Sequence, residues 1–216
     1  MTGQPNGLAR LFMPNDCATI PPHEKHYGLE SNVTEQNTLP DYLRPGLDIV
    51  FVGINPGAYS AKMGRYFATP RNRFWTALNQ SGIASAGRDL GPEDDARMND
   101  YGIGFTDVVK RPSGSASDIR PAEFKAGAPV LQEKLLVCQP LVVCFNGLTG
   151  YKNYLRHALG VKPEAELGAQ ERIIGGSSVF VTPNPSPANA AFSLDVIASW
   201  YRQVGEFRDQ VKHGHD

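Results

Sequence analysis

The sequence predicts an α/β fold, a three-layer sandwich in which a central, mostly parallel β-sheet is flanked by helices on both faces. Three observations lead there. The apolar runs Ile49-Val50-Phe51-Val52 and Leu141-Val142-Val143-Cys144-Phe145 have strand length and no polar alternation, as expected of strands buried on both sides. Between such runs the apolar residues take helical spacing, and strands that alternate with helices imply parallel pairing under two covering layers. The chain has 216 residues, 41% of them hydrophobic, and no internal repeat, which suits one domain with one substantial core.

The elements follow in order. Residues 1–38 mix Pro, Asn, Gly, Glu and His without periodicity and read as a partly ordered arm leading to Leu39-Pro40-Asp41-Tyr42-Leu43. The domain is expected over residues 39–212, with 213–216 a tail. Asp48 to Gly53 reads as a buried strand, followed by the turn Asn55-Pro56-Gly57 and loop to about Pro70. Phe74, Trp75, Leu78 and Ile83 then suit a helix with Asn72 as N-cap and Gly82 at its end. A short helix around 92–100 leads into Ile103 to Val109, an extended segment carrying a polar residue near its end. Pro121 opens a long helix to about Cys138, since proline suits the first helical position. After the strand 141–145, residues 147–158 read as a helix closed by Gly160, and 171–182 as one or two strands with a Gly-Gly turn. Ser193 caps a final amphipathic helix to about Lys212. The loops after Gly53, Val109, Phe145 and Thr182 then gather at the carboxyl ends of the strands, where such sheets bind ligands.

Composition excludes several function classes. No apolar run approaches the roughly 20 residues of a membrane span, and the N-terminus lacks the basic start and apolar stretch of a secretory signal, so an intracellular protein is expected. Cys17, Cys138 and Cys144 cannot all pair and read as reduced structural thiols, while the five histidines show no metal-ligand spacing and His213 and His215 fall in the tail. No metal and no cofactor are expected. A net charge of −1 argues mildly against a nucleic-acid partner. Local distribution softens the objection: Lys62, Arg65, Arg71 and Arg73 lie in an acid-free stretch, Lys110-Arg111 form a second basic pair, and Asp89, Glu93, Asp94, Asp95 and Asp100 cluster between them.

Two loops carry chemical interest. Gly53-Ile54-Asn55-Pro56-Gly57 brings backbone amides and one amide side chain to the rim of the sheet, yet it lacks the Gly-Lys-Ser/Thr ending of a phosphate cradle and also reads as a plain structural turn. Pro183-Asn184-Pro185-Ser186-Pro187-Ala188-Asn189-Ala190 is a stiff loop with small polar residues suited to phosphates or a groove. Both fall at the same end of the sheet, where Tyr66-Phe67 and Asp107 reach the shared cleft.

These segments, with Arg71-Asn72-Arg73-Phe74-Trp75, Gly104-Phe105-Thr106-Asp107, Phe145-Asn146-Gly147 and Asn184-Pro185-Ser186, stand in the order found in mismatch-specific uracil/thymine-DNA glycosylases, and the chain resembles that family from about residue 39 to 210. The resemblance implies a monofunctional glycosylase that flips uracil, or thymine or a modified pyrimidine, out of mismatched double-stranded DNA or a single strand. It then hydrolyses the N-glycosidic bond and leaves an abasic site for base excision repair. Phe67 resembles the aromatic that stacks on the flipped base, with Gly53, Ile54, Ser60 and Tyr66 around it. Asn55 matches the amide that holds the attacking water, and backbone N–H groups near Ile54 and Tyr66 would stabilise the departing anion. Asn184, Ser186, Pro187, Ala188 and Asn189, with Lys62 and Arg71, would contact DNA as a monomer does. Relatives place an apolar or arginine wedge where Ala188 stands, which implies weaker plugging of the vacated stack.

Asp107 departs from the family pattern, which has an amide or a lysine there. Three roles stay open: a base that activates water or steadies an oxocarbenium ion, an acceptor for the N3–H of the pyrimidine, or a structural partner of Lys110, Arg111 or a backbone amide. Ser60 is expected near the base and within reach of Asp107. A catalytically silent binder of damaged DNA and a small-molecule nucleotide hydrolase are the competing functions.

Overall fold

The computed structural model describes residues 38–214. Five strands form one sheet in the order β2-β1-β3-β5-β4, where β1 is Ile49–Gly53, β2 Ile103–Asp107, β3 Val142–Asn146, β4 Gly168–Ile174 and β5 Ser177–Thr182. All pairs are parallel except β4 with β5, which the Gly175-Gly176 turn joins as a hairpin. The two strands expected from their apolar runs, β1 and β3, are buried at every position, and so is β2 at the sheet edge.

Strand alternation sorts the core into two layers. Val50, Val52, Val143, Phe145, Val179 and Val181 pack under α3 (Pro121–Cys138) and α4 (Leu148–His157). Ile49, Phe51, Ile103, Phe105, Val142, Cys144 and Phe180 face α2 (Phe74–Ser81) and α5 (Leu194–His213). The three-layer sandwich is therefore the architecture. The N-cap of α2 is Arg73 rather than Asn72, although Asn72 Oδ1, one residue earlier, accepts the Phe74 amide at 3.0 Å, and Gly82 ends the helix at φ 75°. The Ser193 hydroxyl caps α5 by accepting the Val196 amide.

Several expectations need correction. The stretch after Gly57 is not all loop, because Ala58–Met63 forms a short helix, α1. The segment 92–101 is a 3-10 helix whose acids Asp94 and Asp95 are buried, not a solvated acidic surface. Asp94 receives Arg88, Arg97 and the Gly91 amide, and the Arg88 guanidinium foremost holds its carboxyl far below the usual range. The segment leading to β1 joins the core, since Leu39 is buried and Tyr42 exchanges backbone hydrogen bonds with Phe105. His213 ends α5 rather than lying in a tail. Cys138 and Cys144 are buried free thiols, whereas Cys17, His215 and the arm to residue 37 lie outside the described residues. Among the described residues no helix is long and apolar enough to cross a membrane.

Candidate active site

Strand register builds the floor of the site. Gly53 pairs with Asp107, Val52 with Phe145, and Asn146 with Thr182, so Asp107, Gly53, Asn146 and Thr182 form one row at the carboxyl ends of four parallel strands. Registered residues of parallel strands point to the same face, here the α2/α5 face that Phe51, Phe105, Cys144 and Phe180 occupy two residues earlier. An apolar ladder thus ends in a polar row. Gly53 is indispensable to it, because a Cβ there would stand 2.3 Å from Asp107 Oδ1. The Asp107 carboxylate leans into the space that the missing side chain leaves.

The row opens into a cleft of about 800 Å³ that Gly53, Asn55, Phe67, Asp107, Asn146 and Asn184 help line. Asp107 is the one carboxylate on its walls, and no Lys, Arg or His joins it among the described residues. Asp107 is 5% exposed and its Oδ2 has no hydrogen-bond partner. Burial pushes its pKa up to about 7; Lys110 pulls the other way and Asp41 adds to the rise. Of the structural pairings considered for Asp107, the one with Lys110 is present as a long ion pair and the one with Arg111 is not. Lys110 Nζ is 4.0 Å from Oδ2 but donates to Asp41 Oδ1 at 2.8 Å, and Arg111 is bound to Glu123.

Asn55 is oriented by its neighbours. Its Nδ2 donates to the carbonyls of Pro56 (3.0 Å) and Arg111 (3.1 Å) and to Ser113 Oγ (2.8 Å). Ser113 spends its own proton on the Ser115 carbonyl at 2.6 Å, so toward Asn55 it can only accept. The amide cannot be flipped without losing all three bonds, and Oδ1 is left as the acceptor facing outward. Ser113 was not a sequence candidate, since a serine in a Pro-Ser-Gly-Ser run carries no local signal of a partner 58 residues earlier.

Asn146, the middle residue of the Phe145-Asn146-Gly147 motif, is a further member of the row. Its Oδ1 accepts from Thr182 Oγ1 (3.2 Å) and Tyr201 Oη (3.1 Å), which turns Nδ2 the other way, buried and without a partner. The Gly147 that follows, at φ 105°, leaves room for Asn184, whose Cβ would be 3.1 Å from a side chain there.

The aromatic wall is braced from behind. Phe67, at φ 55°, stacks on Phe74 at 3.9 Å between centroids and 11° between planes. Tyr66 is buried, its amide donating to Asp95 Oδ2 at 2.9 Å and its carbonyl accepting the Trp75 indole N–H at 3.0 Å. The Tyr66 amide is therefore spent and cannot serve a departing anion, which corrects that expectation. Burial, with the negative charges of Asp107 and Asp41, holds the Tyr66 hydroxyl far above its usual pKa. Ser60 is also corrected: its hydroxyl meets Thr69 Oγ1 and the Thr69 amide, both at 3.2 Å, rather than Asp107.

The loop after β5 is locked by Arg73. Its guanidinium donates to the carbonyls of Pro185 (3.2 Å), Ser186 (2.5 Å), Asn189 (2.7 Å) and Phe192. Within the loop, Asn184 Oδ1 accepts the Ser186 amide and Asn189 Nδ2 donates to the Asn184 carbonyl. Pro187 and Ala188 line the cleft beside them. Most of the local basic charge is committed inward in this way: Arg65 to Asp95, Arg73 to the loop, Lys110 to Asp41 and Arg111 to Glu123. Lys62 and Arg71 are exposed, lie outside the cleft lining and enter no ion pair among the described residues.

A parallel α/β sandwich with a polar, aromatic-walled cleft at its strand ends belongs to the class of ligand-binding doubly covered sheets. Within that class the chain belongs to the uracil DNA glycosylase superfamily, whose family model matches residues 40–204. The superfamily's general chemistry is hydrolysis of N-glycosidic bonds in DNA. The fold is similar to a solution NMR structure from Methanosarcina acetivorans, a provisionally assigned uracil DNA glycosylase, at TM-score 0.51 and 24% identity, covering 82% of this chain and 99% of that one.

Proposed function

We propose that this chain is a monofunctional, mismatch-specific uracil-DNA glycosylase, with residues 39–212 as its catalytic domain and residues 1–38 as an accessory arm, acting as a monomer on G·U and related mispairs. The observation that carries the reading is the pair of side chains on one cleft: Asn55, fixed with Oδ1 outward, and Asp107, a buried carboxyl poised to ionise near neutrality. A mispaired pyrimidine costs least to extrude, by a few kcal/mol, and Phe67 backed by Phe74 offers a preset stacking surface.

With the base lodged there, Asn55 Oδ1 holds a water beneath the anomeric carbon and ionised Asp107 accepts its proton or steadies the oxocarbenium ion. The Ile54 amide is the donor for the departing pyrimidine anion. Lys62 and Arg71 reach phosphates, and Asn184, Ser186, Pro187, Ala188 and Asn189 present a braced loop to the vacated stack.

The test is single-turnover uracil release from G·U, A·U and single-stranded oligonucleotides. Asn55→Ala and Asp107→Ala each lower the rate about tenfold or more with the fold kept, in line with the 10²–10⁴-fold typical of acid–base groups. Release of no base from any of the three substrates by the wild type would leave a silent damage binder, and equal cleavage of free deoxyuridine a nucleotide hydrolase.

A further inference from the structure

We propose that Lys110 and Asp41 are positioning residues that together set the pH at which Asp107 gives up its proton; the consequence for excision rests on the reading above, whereas the effect on Asp107 does not.

The geometry is one cation shared between two carboxylates. Lys110 Nζ stands 2.8 Å from Asp41 Oδ1, 4.0 Å from Asp107 Oδ2 and 3.3 Å from the Tyr66 hydroxyl. Asp41 is the better-provided acid, since it also accepts from Thr106 Oγ1 at 2.7 Å and Lys134 Nζ at 2.6 Å. Burial draws the Asp41 pKa up, but the hydrogen bonds from Lys110 and Lys134 outweigh it, and Asp41 stays ionised. Lys110 is thus tethered to Asp41, close enough to favour an ionised Asp107 yet too far to bond to it.

The remaining surroundings of Asp107 add little charge of their own. The segment before β1 supplies Asp41, the segment after α1 supplies Tyr66, α3 supplies Lys134, and Lys110 follows β2. The neighbouring strand β1 offers neutral Gly53, and β3 beyond it neutral Asn146. An opposite charge within about 4–6 Å typically shifts a carboxyl by one to three pH units, so Lys110 is the largest charged influence on Asp107, second to burial. Asp41 acts through it, both by its own negative charge and by restraining the ammonium group.

The two substitutions therefore have opposite signs. Lys110→Gln removes the cation and raises the Asp107 midpoint by about one pH unit or more, and Lys110→Arg restores it. Asp41→Asn removes a negative neighbour and releases Lys110 toward Asp107, which lowers the midpoint. The midpoints are read from the Asp107 side-chain carboxyl carbon by NMR, on the full chain without DNA. A midpoint unmoved by Lys110→Gln, or moved the same way by both substitutions, overturns the proposal. Should Asp41→Asn fail to fold, Lys110→Gln against Lys110→Arg decides alone. Single-turnover excision against pH is then measured on the same proteins. Rates that ignore a shifted carboxyl midpoint leave the Lys110–Asp41 proposal standing and remove Asp107 from the excision step.

Discussion

Replacing Asp107 by asparagine should make the protein more stable in proportion to pH while it damages excision. In the unfolded chain this carboxyl has its ordinary pKa of 3.8, whereas in the fold burial moves it to about 7. Between those values the folded state holds a proton that the unfolded state has lost, so stability falls as pH rises through the window and levels off above it. At about 1.4 kcal/mol per pH unit, the gap of about three units amounts to about 4 kcal/mol across the whole window. Asp107→Asn keeps the shape of the side chain and removes the ionisation. Its amide carries a fixed cost of about 1–3 kcal/mol if a buried donor stays unpaired, but that cost does not vary with pH. Acids such as Asp94 and Glu123, whose folded pKa values are lowered and which do not act on Asp107, give the opposite slope in both proteins and cancel in the difference.

The assay is urea unfolding of both proteins at about pH 5 and about pH 8, followed by tryptophan fluorescence. Between these two conditions the advantage of Asp107→Asn should grow by about 3 kcal/mol, the part of the window lying above pH 5. A stability difference constant over that range would refute the reasoning, because it would mean that Asp107 does not remain protonated in the fold. Together with a loss of excision, growth of the difference identifies Asp107 as a group kept at the expense of stability for its chemistry.

Three further outcomes follow from the same geometry. Gly53→Ala should leave urea stability within about 1 kcal/mol, since the displaced atom is the tip of a side chain, yet lower single-turnover excision about tenfold by pushing Asp107 Oδ1 from its place. Arg73→Ala strips four carbonyls of a charged donor and should cost about 2–3 kcal/mol in unfolding experiments, with weaker binding of a G·U duplex in an anisotropy titration because loop 183–192 loosens. Ala188→Leu supplies the missing wedge; it should slow multiple-turnover release while sparing the single-turnover rate, as product dissociation becomes limiting.

Apolar runs and helix signals depend on near neighbours along the chain, and that much could be read without coordinates. Ile49 to Val52 and Val142 to Phe145 are strands because nothing polar interrupts them, and Asn72, Gly82 and Ser193 bound their helices by local hydrogen bonding and backbone freedom. The ordered motifs likewise marked Asn55 and Asp107, and the family resemblance marked Phe67, all of which line the same cleft. The helix at Ala58–Met63 was missed because its six residues make too short a pattern to stand out from a loop.

Partnerships at long range were beyond the reach of sequence. Arg65, Arg73, Lys110 and Arg111 stood out only as locally clustered basic charge, but each satisfies a carboxylate or a row of carbonyls brought to it by the fold. Asp94 and Asp95 looked like solvated acids and instead brace Arg88, Arg97 and the Tyr66 backbone. Residue order names which groups can be charged or can hydrogen-bond; strand register and burial choose which of them meet. Asp107 shows why: the same carboxyl is an ordinary acid in the open chain, and it is desolvation between Gly53, Tyr66 and a cation tethered elsewhere that moves its proton to neutral pH.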